Sequence, residues 1–351
     1  MLENAKDFLR ECKGETAVVY DTDGDGLGAA VIISKTMKEL LKKYPKTFPR
    51  DHGLSLITES LVRKIKKFDN IIFLDIAADE KMETVLALAK KSRIMVVDHH
   101  QVQKNLNKHG ILHINPVFWE KKIPSSQYCT SKIAYDMCSD IADDGFDWLA
   151  GIGMINDKAQ KTWKTFLKNV YRKYNITPKD FELVNNIITS PYMFSENSDM
   201  NISYEACLES SSPSDVLKAK NPHSKKLRMY HDVVEKEIMS AMKGWKKNAD
   251  VFEEKKLIML EIKTGFSISS VISTKISFEK PHYTIIVARI NGSNVSASLR
   301  RQDKKVNCGE LAKRLTEGIK NSSGGGHVPA AGIKVMKRDW KEVRKRVLEV
   351  L

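Results

Sequence analysis

The sequence predicts an α/β protein with a parallel-sheet domain first, a helical connector next and a smaller α/β domain last. Three observations predict it. Strand-like apolar runs alternate with helical segments over residues 1–160, helix signals without strands fill 161–250, and strands alternate with helices again over 251–351. At 351 residues the chain is long enough for two or three domains with real cores. Its 42% hydrophobic and 29% charged residues exclude wholesale disorder, collagen-like repeats and a fibrous rod.

The first strand is the apolar run Ala17 to Tyr20, followed by a Gly-rich turn and a helix from about Leu27 to Lys43. Strands are expected at Asn70 to Leu74 and Arg93 to Val97, with a helix from Asp79 to Lys91 between them, which is the rhythm of a parallel sheet. After Asn115 and Pro116 the chain turns helical, with Ile133, Ala134, Met137 and Ile141 at helical spacing, then Trp148, Ala150, Ile152 and Ile155. In the connector, the breakers Pro213 and Pro222 precede a long amphipathic helix from Lys225 to Lys247. The last domain offers strands at Leu257 to Ile262, Tyr283 to Ala288, Asn294 to Leu299 and Ala331 to Val335. Helices at Ile268 to Phe278, Cys308 to Ile319 and Asp339 to Val350 alternate with them. No internal repeat or low-complexity tract interrupts this order.

The longest apolar stretches fall well short of the roughly 18 to 20 residues a spanning helix needs, so no membrane partner is expected. The charged N-terminus MLENAKDFLRECKGE does not read as a secretory signal, and a cytoplasmic location is expected. The five cysteines Cys12, Cys129, Cys138, Cys207 and Cys308 lack CxxC spacing, which fits reduced thiols rather than a disulfide framework or zinc finger. The net charge of +14 points to a polyanionic partner. Residues 251–351 hold 20 Lys and Arg against 10 Asp and Glu, so most of the excess lies at the C-terminal end.

Asp21, Asp23 and Asp25 stand on alternate residues directly after the first strand. Carboxylates so close repel one another, and such a cluster usually exists to hold a hard cation. A calcium EF-hand is excluded, because the twelfth loop position is Ile32 where a Glu is required and the preceding segment is a strand. Asp75 follows the second of these strands and Asp98-His99-His100 the third. In a parallel sheet all such ends share one edge, where open α/β folds place their active sites, so these acidic and imidazole groups are expected to converge.

These residues resemble the DHH phosphoesterase superfamily, which includes RecJ-like single-strand exonucleases, nanoRNases and family II pyrophosphatases. The resemblance rests on Asp98-His99-His100, on Asp21, Asp23 and Asp25, on Asp75, and on the segment Gly151-Ile152-Gly153-Met154-Ile155-Asn156-Asp157. Toward the C-terminus, Ser298-Leu299-Arg300 and the run Gly324-Gly325-Gly326-His327-Val328-Pro329-Ala330-Ala331-Gly332 resemble the DHH-associated C-terminal domain. The implied organisation is a DHH domain over 1–160, a connector over 161–250 and a substrate-binding domain over 251–351, with the active site in the cleft between the two sheet domains. Many relatives carry a histidine a few residues ahead of the paired aspartates, where this chain has Val19, Tyr20 and Asp21. RecJ-like members can carry an aspartate at the position of Asp21, which favours them over the pyrophosphatases.

The resemblance implies Asp23, Asp25, Asp75, His99 and Asp157 as metal ligands, with Asp75 bridging two ions and Asp21 as a further candidate. Oxygen and imidazole donors suit Mn²⁺, with Mg²⁺ as the alternative, and a cluster without cysteine argues against structural zinc. Two such ions would drive in-line hydrolysis of a phosphodiester. Asp98 is expected to orient the adjacent imidazole and His100 to contact the scissile phosphate, completing the catalytic set Asp98, His99 and His100. Gly324, Gly325 and Gly326 are expected to form a loop whose backbone N–H groups approach an anion, with His327, Ser298 and Arg300 adding hydrogen bonds to substrate. The compact archaeal RecJ-like exonucleases are the implied functional class. The resemblance implies single-stranded DNA or RNA as the substrate, with helicases or replication and repair proteins as candidate partners. A nanoRNase or 3′-phosphoadenosine 5′-phosphate phosphatase acting on very short substrates is the enzymatic alternative, and an inactive RecJ-related replication scaffold the non-enzymatic one.

Overall fold

The computed structural model describes residues 1–50, 56–142, 145–194 and 201–351; residues 195–200, inside the expected connector, lie outside that description. The chain divides into two compact units, Met1–Tyr192 with Ser198–His231, and Met193–Asn197 with Asp232–Leu351.

In the first unit, α1 (Leu2–Arg10) leads into β1 (Thr16–Tyr20), α2 (Gly24–Leu41), β2 (Lys46–Pro49), α3 (Glu59–Ile65), β3 (Asn70–Leu74), α4 (Met82–Ala89), β4 (Arg93–Val97) and β5 (Leu112–Ile114). The five strands are all parallel, in the order β2-β1-β3-β4-β5. The three central strands read as continuous apolar runs because both faces are covered, and β1 and β3 are buried at every position. On one face Ala17, Val19, Ile71, Phe73, Ile94 and Val96 pack against Leu61 and Ile65 of α3 and Val85 and Leu88 of α4.

The expected helix over 79–91 is a short 3₁₀ turn at Ala78–Lys81 followed by α4. The edge strands β2 and β5 escape sequence reading because they are four and three residues long and carry little alternation. Beyond the sheet come α5 (Thr130–Cys138), α6 (Phe146–Asn156), α7 (Lys164–Lys173), α8 (Pro178–Phe194), α9 (Asn201–Leu208) and α10 (Pro213–Leu217). Ile141, placed by its spacing on the helix of Ile133, lies past the end of α5. The expected amphipathic helix is α11 (Pro222–Asn248), which begins in the first unit and ends in the second.

The second unit is built on β6 (Ala249–Phe252), β7 (Leu257–Lys263), α12 (Ser269–Glu279), β8 (Thr284–Asn291), β9 (Asn294–Arg300), α13 (Cys308–Thr316), β10 (Ser323–His327), β11 (Ala330–Met336) and α14 (Trp340–Val350). Its mixed sheet has the order β10-β11-β9-β8-β7-β6, with only β7 and β8 parallel. Alternate residues face two separate cores. Ala297, Leu299, Ala331 and Ile333 join Leu311 and Leu315 of α13 and Val343 and Val347 of α14. Ile258, Leu260, Ile285 and Val287 join Ile272 and Ile276 of α12 and Val234 and Ile238 of α11.

The glycine run corrects one expectation, because Gly324–Gly326 lie in edge strand β10 rather than in a loop. A Cβ on Gly324 would sit 2.1 Å from the Ala312 carbonyl oxygen, so this glycine is what lets α13 lie against the strand. Gly325 faces open space.

Candidate metal centre and active site

Each central strand of the first unit delivers its polar groups on leaving the sheet. Tyr20, Leu74 and Val97 are the last residues of β1, β3 and β4, and Leu74 pairs in register with both Tyr20 and Val97. The residues that follow, Asp21, Asp75 and Asp98, therefore emerge along one edge.

The first loop is held by its own carboxylates. Asp23 caps α2, its Oδ1 accepting from the backbone N–H of Asp25 at 2.9 Å and of Gly26 at 3.1 Å. Its Oδ2 accepts from Asn156 Nδ2 at 2.8 Å, and the same amide reaches Asp157 Oδ1 at 3.3 Å. Asp25 is fully buried, and each of its oxygens accepts a backbone N–H at the start of α5, from Thr130 at 2.7 Å and Ser131 at 2.8 Å. The positive end of that helix thus faces the carboxylate. Gly153 makes room for this arrangement, since a Cβ there would lie 2.2 Å from Asp25 Oδ1 and 2.0 Å from Ser131 Oγ. Asp21 turns elsewhere and pairs with Arg50 Nη2, 2.9 Å from its Oδ2 and 3.2 Å from its Oδ1.

Asp75 occupies the left-handed region with φ of 58°, a conformation an aspartate tolerates better than most side chains. Its carboxylate is buried, accepts from Thr130 Oγ1 at 3.3 Å, and lies 3.5 Å from His99 Nε2. The same His99 nitrogen is 3.3 Å from Asp157 Oδ2, an oxygen that is buried without a hydrogen-bond partner. His99 Nδ1 is likewise buried and unpartnered. Asp98 holds His100 rather than His99: its oxygens accept from His100 Nδ1 at 2.7 Å and from the His100 backbone N–H at 3.2 Å.

The electrostatics follow from this crowding. Burial, then the Asp21 and Asp25 carboxylates, pushes Asp23 up to about 6. Burial, then Asp25 and Asp23, pushes Asp157 up to about 9, and burial with four neighbouring carboxylates holds Asp75 well above the usual range. His100 moves the same way for a different reason, its hydrogen bond to Asp98 pushing it up to about 9 and keeping it an imidazolium at neutral pH.

Asp75, His99 and His100 can offer donor atoms within 4.8 Å of one another, and so can Asp25, Cys129 and Asp157. Carboxylates that repel, beside a buried imidazole, are a donor set for a hard divalent cation. Cys129 corrects the expectation of a cluster without cysteine. It is fully buried immediately before α5, and nothing in its local sequence marks it as a neighbour of Asp25. Arg50, Asn156, Thr130 and Ser131 were also not singled out by sequence reading; Asn156 alone had a local signal, as the neighbour of Asp157.

In the second unit, Ser298 pairs in register with Gly332, and Gly332 with Gly325. Ser298 Oγ lies 3.1 Å from Ser269 Oγ at the start of α12. Arg300 is on the same face and donates to Thr274 Oγ1, Ser270 Oγ and the Leu299 carbonyl. His327 is exposed at the end of β10.

The DHH family N-terminal domain matches residues 15–164, and the DHHA1 domain matches residues 255–351. The chain belongs to the DHH phosphoesterase superfamily. Solved DHH structures share its fold. A DHH domain described as a member of a family of ribosomal proteins aligns with a TM-score of 0.72 at 16% identity, covering 100% of this chain and 90% of that one. An exonuclease RecJ bound to manganese aligns with a TM-score of 0.70 at 15% identity, over 99% of this chain and 93% of that one. CDC45 from Entamoeba histolytica aligns with a TM-score of 0.62 at 10% identity, over 98% and 97%. Comparison with curated proteins returns no match. No helix among the described residues is long and apolar enough to cross a membrane.

Proposed function

We propose that this DHH-superfamily chain is a RecJ-like exonuclease, a Mn²⁺-dependent phosphodiesterase that hydrolyses single-stranded DNA or RNA to nucleotides. The reading is carried by one observation, the convergence of Asp23, Asp25, Asp75, His99 and Asp157 at one sheet edge, with His99 Nε2 3.5 Å from Asp75 and 3.3 Å from Asp157. These five side chains would hold the divalent ions, and Asp21, already paired to Arg50, would be the least available ligand. Bound divalent ions would supply an activated water and neutralise charge on the phosphate oxygens. Beside them, the His100 imidazolium donates to a non-bridging oxygen of the scissile phosphate, and Asp98 fixes its ring through Nδ1 so that Nε2 is the atom presented.

The second unit supplies the grip. Ser298, Gly332 and Gly325 form a row across three strands in which two positions lack side chains, so substrate can approach backbone there. Arg300 spends three N–H groups on its own unit and keeps two for a phosphate or sugar oxygen. The net charge of +14 favours strands over very short substrates. End-labelled digestion of matched DNA and RNA oligomers with Mn²⁺, run beside a dinucleotide, tests the reading. Shortening of the long strand from one end is expected, with loss of activity in Asp75→Ala and His99→Ala. Preferential cleavage of the dinucleotide, or full activity in either variant, overturns it.

A further inference from the structure

A cavity of about 630 Å³ opens beside the cluster within the first unit, where His99, His100 and Asp157 line it together with Val102, Val117 and the pair Ser125 and Ser126. The volume falls in the roughly 300–1,000 Å³ range of sites that enclose a small ligand. Only part of that lining belongs to the machinery already assigned; the valines and serines have no role in it. We propose that this cavity seats a single nucleotide of the strand, with Ser125 and Ser126 on its phosphate or sugar oxygens and Val102 and Val117 against its base. The proposal rests on the nucleic-acid reading above and adds the residues that recognise the nucleotide.

Four observations support it. Val117 is a large apolar side chain left 58% exposed on the cavity wall, apolar surface that a bound base would cover. Its position is fixed to the catalytic edge by a single buried side chain: Asn115 donates from Nδ2 to the His100 carbonyl at 3.0 Å and accepts at Oδ1 from the Val117 N–H at 3.2 Å. The serine wall is equally well anchored, because Trp163 Nε1 donates to the Gln127 carbonyl at 2.6 Å and Thr162 Oγ1 to Gln127 Oε1 at 3.1 Å, tying down the turn that carries the two serines. The chemistry of the walls also separates, with hydroxyls and the His100 ring for oxygen atoms and two valines for an aromatic face. Apolar contact with a base is sequence-tolerant, since every base presents a π-face.

Titration calorimetry of the Mn²⁺-loaded full chain with adenosine 5′-monophosphate and, separately, inorganic phosphate tests the proposal. Wild type is expected to bind the nucleotide at least about tenfold more tightly than phosphate. Val117→Ser, a change at an exposed position that leaves the core untouched, is expected to weaken nucleotide binding about five- to tenfold and to leave phosphate binding unchanged. The double variant Ser125→Ala with Ser126→Ala is expected to weaken the nucleotide by a similar factor. Equal affinity for phosphate and nucleotide in wild type, or unchanged nucleotide affinity in both variants, overturns the assignment. Oligomer digestion by the same preparation keeps the two readings apart: hydrolysis with no effect of the variants on nucleotide binding removes the cavity alone, and no hydrolysis with nucleotide binding intact removes the exonuclease.

Discussion

Replacing Asp23 by Asn should stabilise the metal-free protein at alkaline pH while removing a ligand from the proposed centre. Asn keeps the cap of α2, because its side-chain oxygen can still accept from the Asp25 and Gly26 N–H groups. What it removes is the cost of ionising a crowded carboxyl, whose folded-state value is pushed up to about 6. A carboxyl raised in the folded state binds its proton more tightly there than in the unfolded chain. Wild-type stability therefore falls as pH rises from about 4 to about 6, and the loss is complete above that. Two pKa units correspond to about 3 kcal/mol, an upper value because Asp23 is only partly buried and solvent screens part of the repulsion. Against this stands the amide of Asn156, which donates to Asp23 Oδ2 and must turn over to face a second amide, at a cost of about 1 kcal/mol. The net expectation is a gain of about 2 kcal/mol at pH 8, shrinking to near zero at pH 4.5. Urea unfolding in the presence of a chelator, followed by tryptophan fluorescence at both pH values, measures it. Destabilisation at pH 8, or the same change at both pH values, would refute the electrostatic argument.

Other expectations follow from neighbouring contacts. Asp98→Asn replaces the charged acceptor of the His100 ring with a neutral one that holds the imidazolium less strongly, so the alkaline limb of the pH–rate profile should move about one unit toward acid; an unmoved limb sinks the imidazolium role. Lys132 is buried among four aromatic rings, with Nζ 4.6 Å from the centroid of Trp163 and 5.4 Å from those of Tyr135 and Phe166, and it pairs with Asp136. Lys132→Met should cost about 3 kcal/mol by denaturant unfolding, because it strips the cage of its cation and leaves Asp136 without its cationic partner. A loss below about 1 kcal/mol would mean the cage is incidental. Gly324→Ala should lose about 1–3 kcal/mol through the clash with the Ala312 carbonyl, whereas Gly325→Ala should fold normally and weaken only strand binding in a filter or anisotropy assay. Affinity for single strands should fall steeply between low and high salt, and a flat response would argue against a phosphate-tracking surface.

What was legible in the sequence depended on how local the determinant is. The strands at Asn70–Leu74 and Arg93–Val97 match their expected bounds because a strand covered on both faces writes itself as an unbroken apolar run. Once those strands are placed, parallel topology alone brings Asp21, Asp75 and Asp98 to one edge. The short edge strands β2 and β5 leave no such run. Strand β10 was hidden for the opposite reason, since Gly324 is dictated by an α13 backbone that is distant in sequence. The same distance hides the supports of the site. Thr130 and Ser131 reach Asp25 across more than a hundred residues and use backbone groups, which no side-chain pattern reports. Arg50 and Cys129 sit in segments whose sequence reads as ordinary loop.

Several costs in the first unit gather at the edge where Asp75 leaves the sheet. The left-handed backbone at Asp75 stores about 1–3 kcal/mol, and the raised values of Asp23, Asp75 and Asp157 record burial first and mutual repulsion second, both of which hydrophobic residues would have avoided. The buried Nδ1 of His99, which has no hydrogen-bond partner, adds desolvation without return. All of these lie at one sheet edge, and each is held in place by something that could have relaxed it. Residue Asp75 is not a glycine, Asp25 is locked by two N–H groups of α5, and Gly153 is kept small so that α6 can close on the cluster. Buried carboxylates gathered this closely are the signature of a site kept for function rather than for stability. Concentrated positive charge would relieve the repulsion among these carboxylates, so a divalent cation should raise the unfolding midpoint of this protein far more at pH 8 than at pH 5, where more of the carboxyls hold protons that the cation must displace. A cation that stabilises equally at both pH values would be binding elsewhere, and the reading of this edge as a metal centre would fall with it.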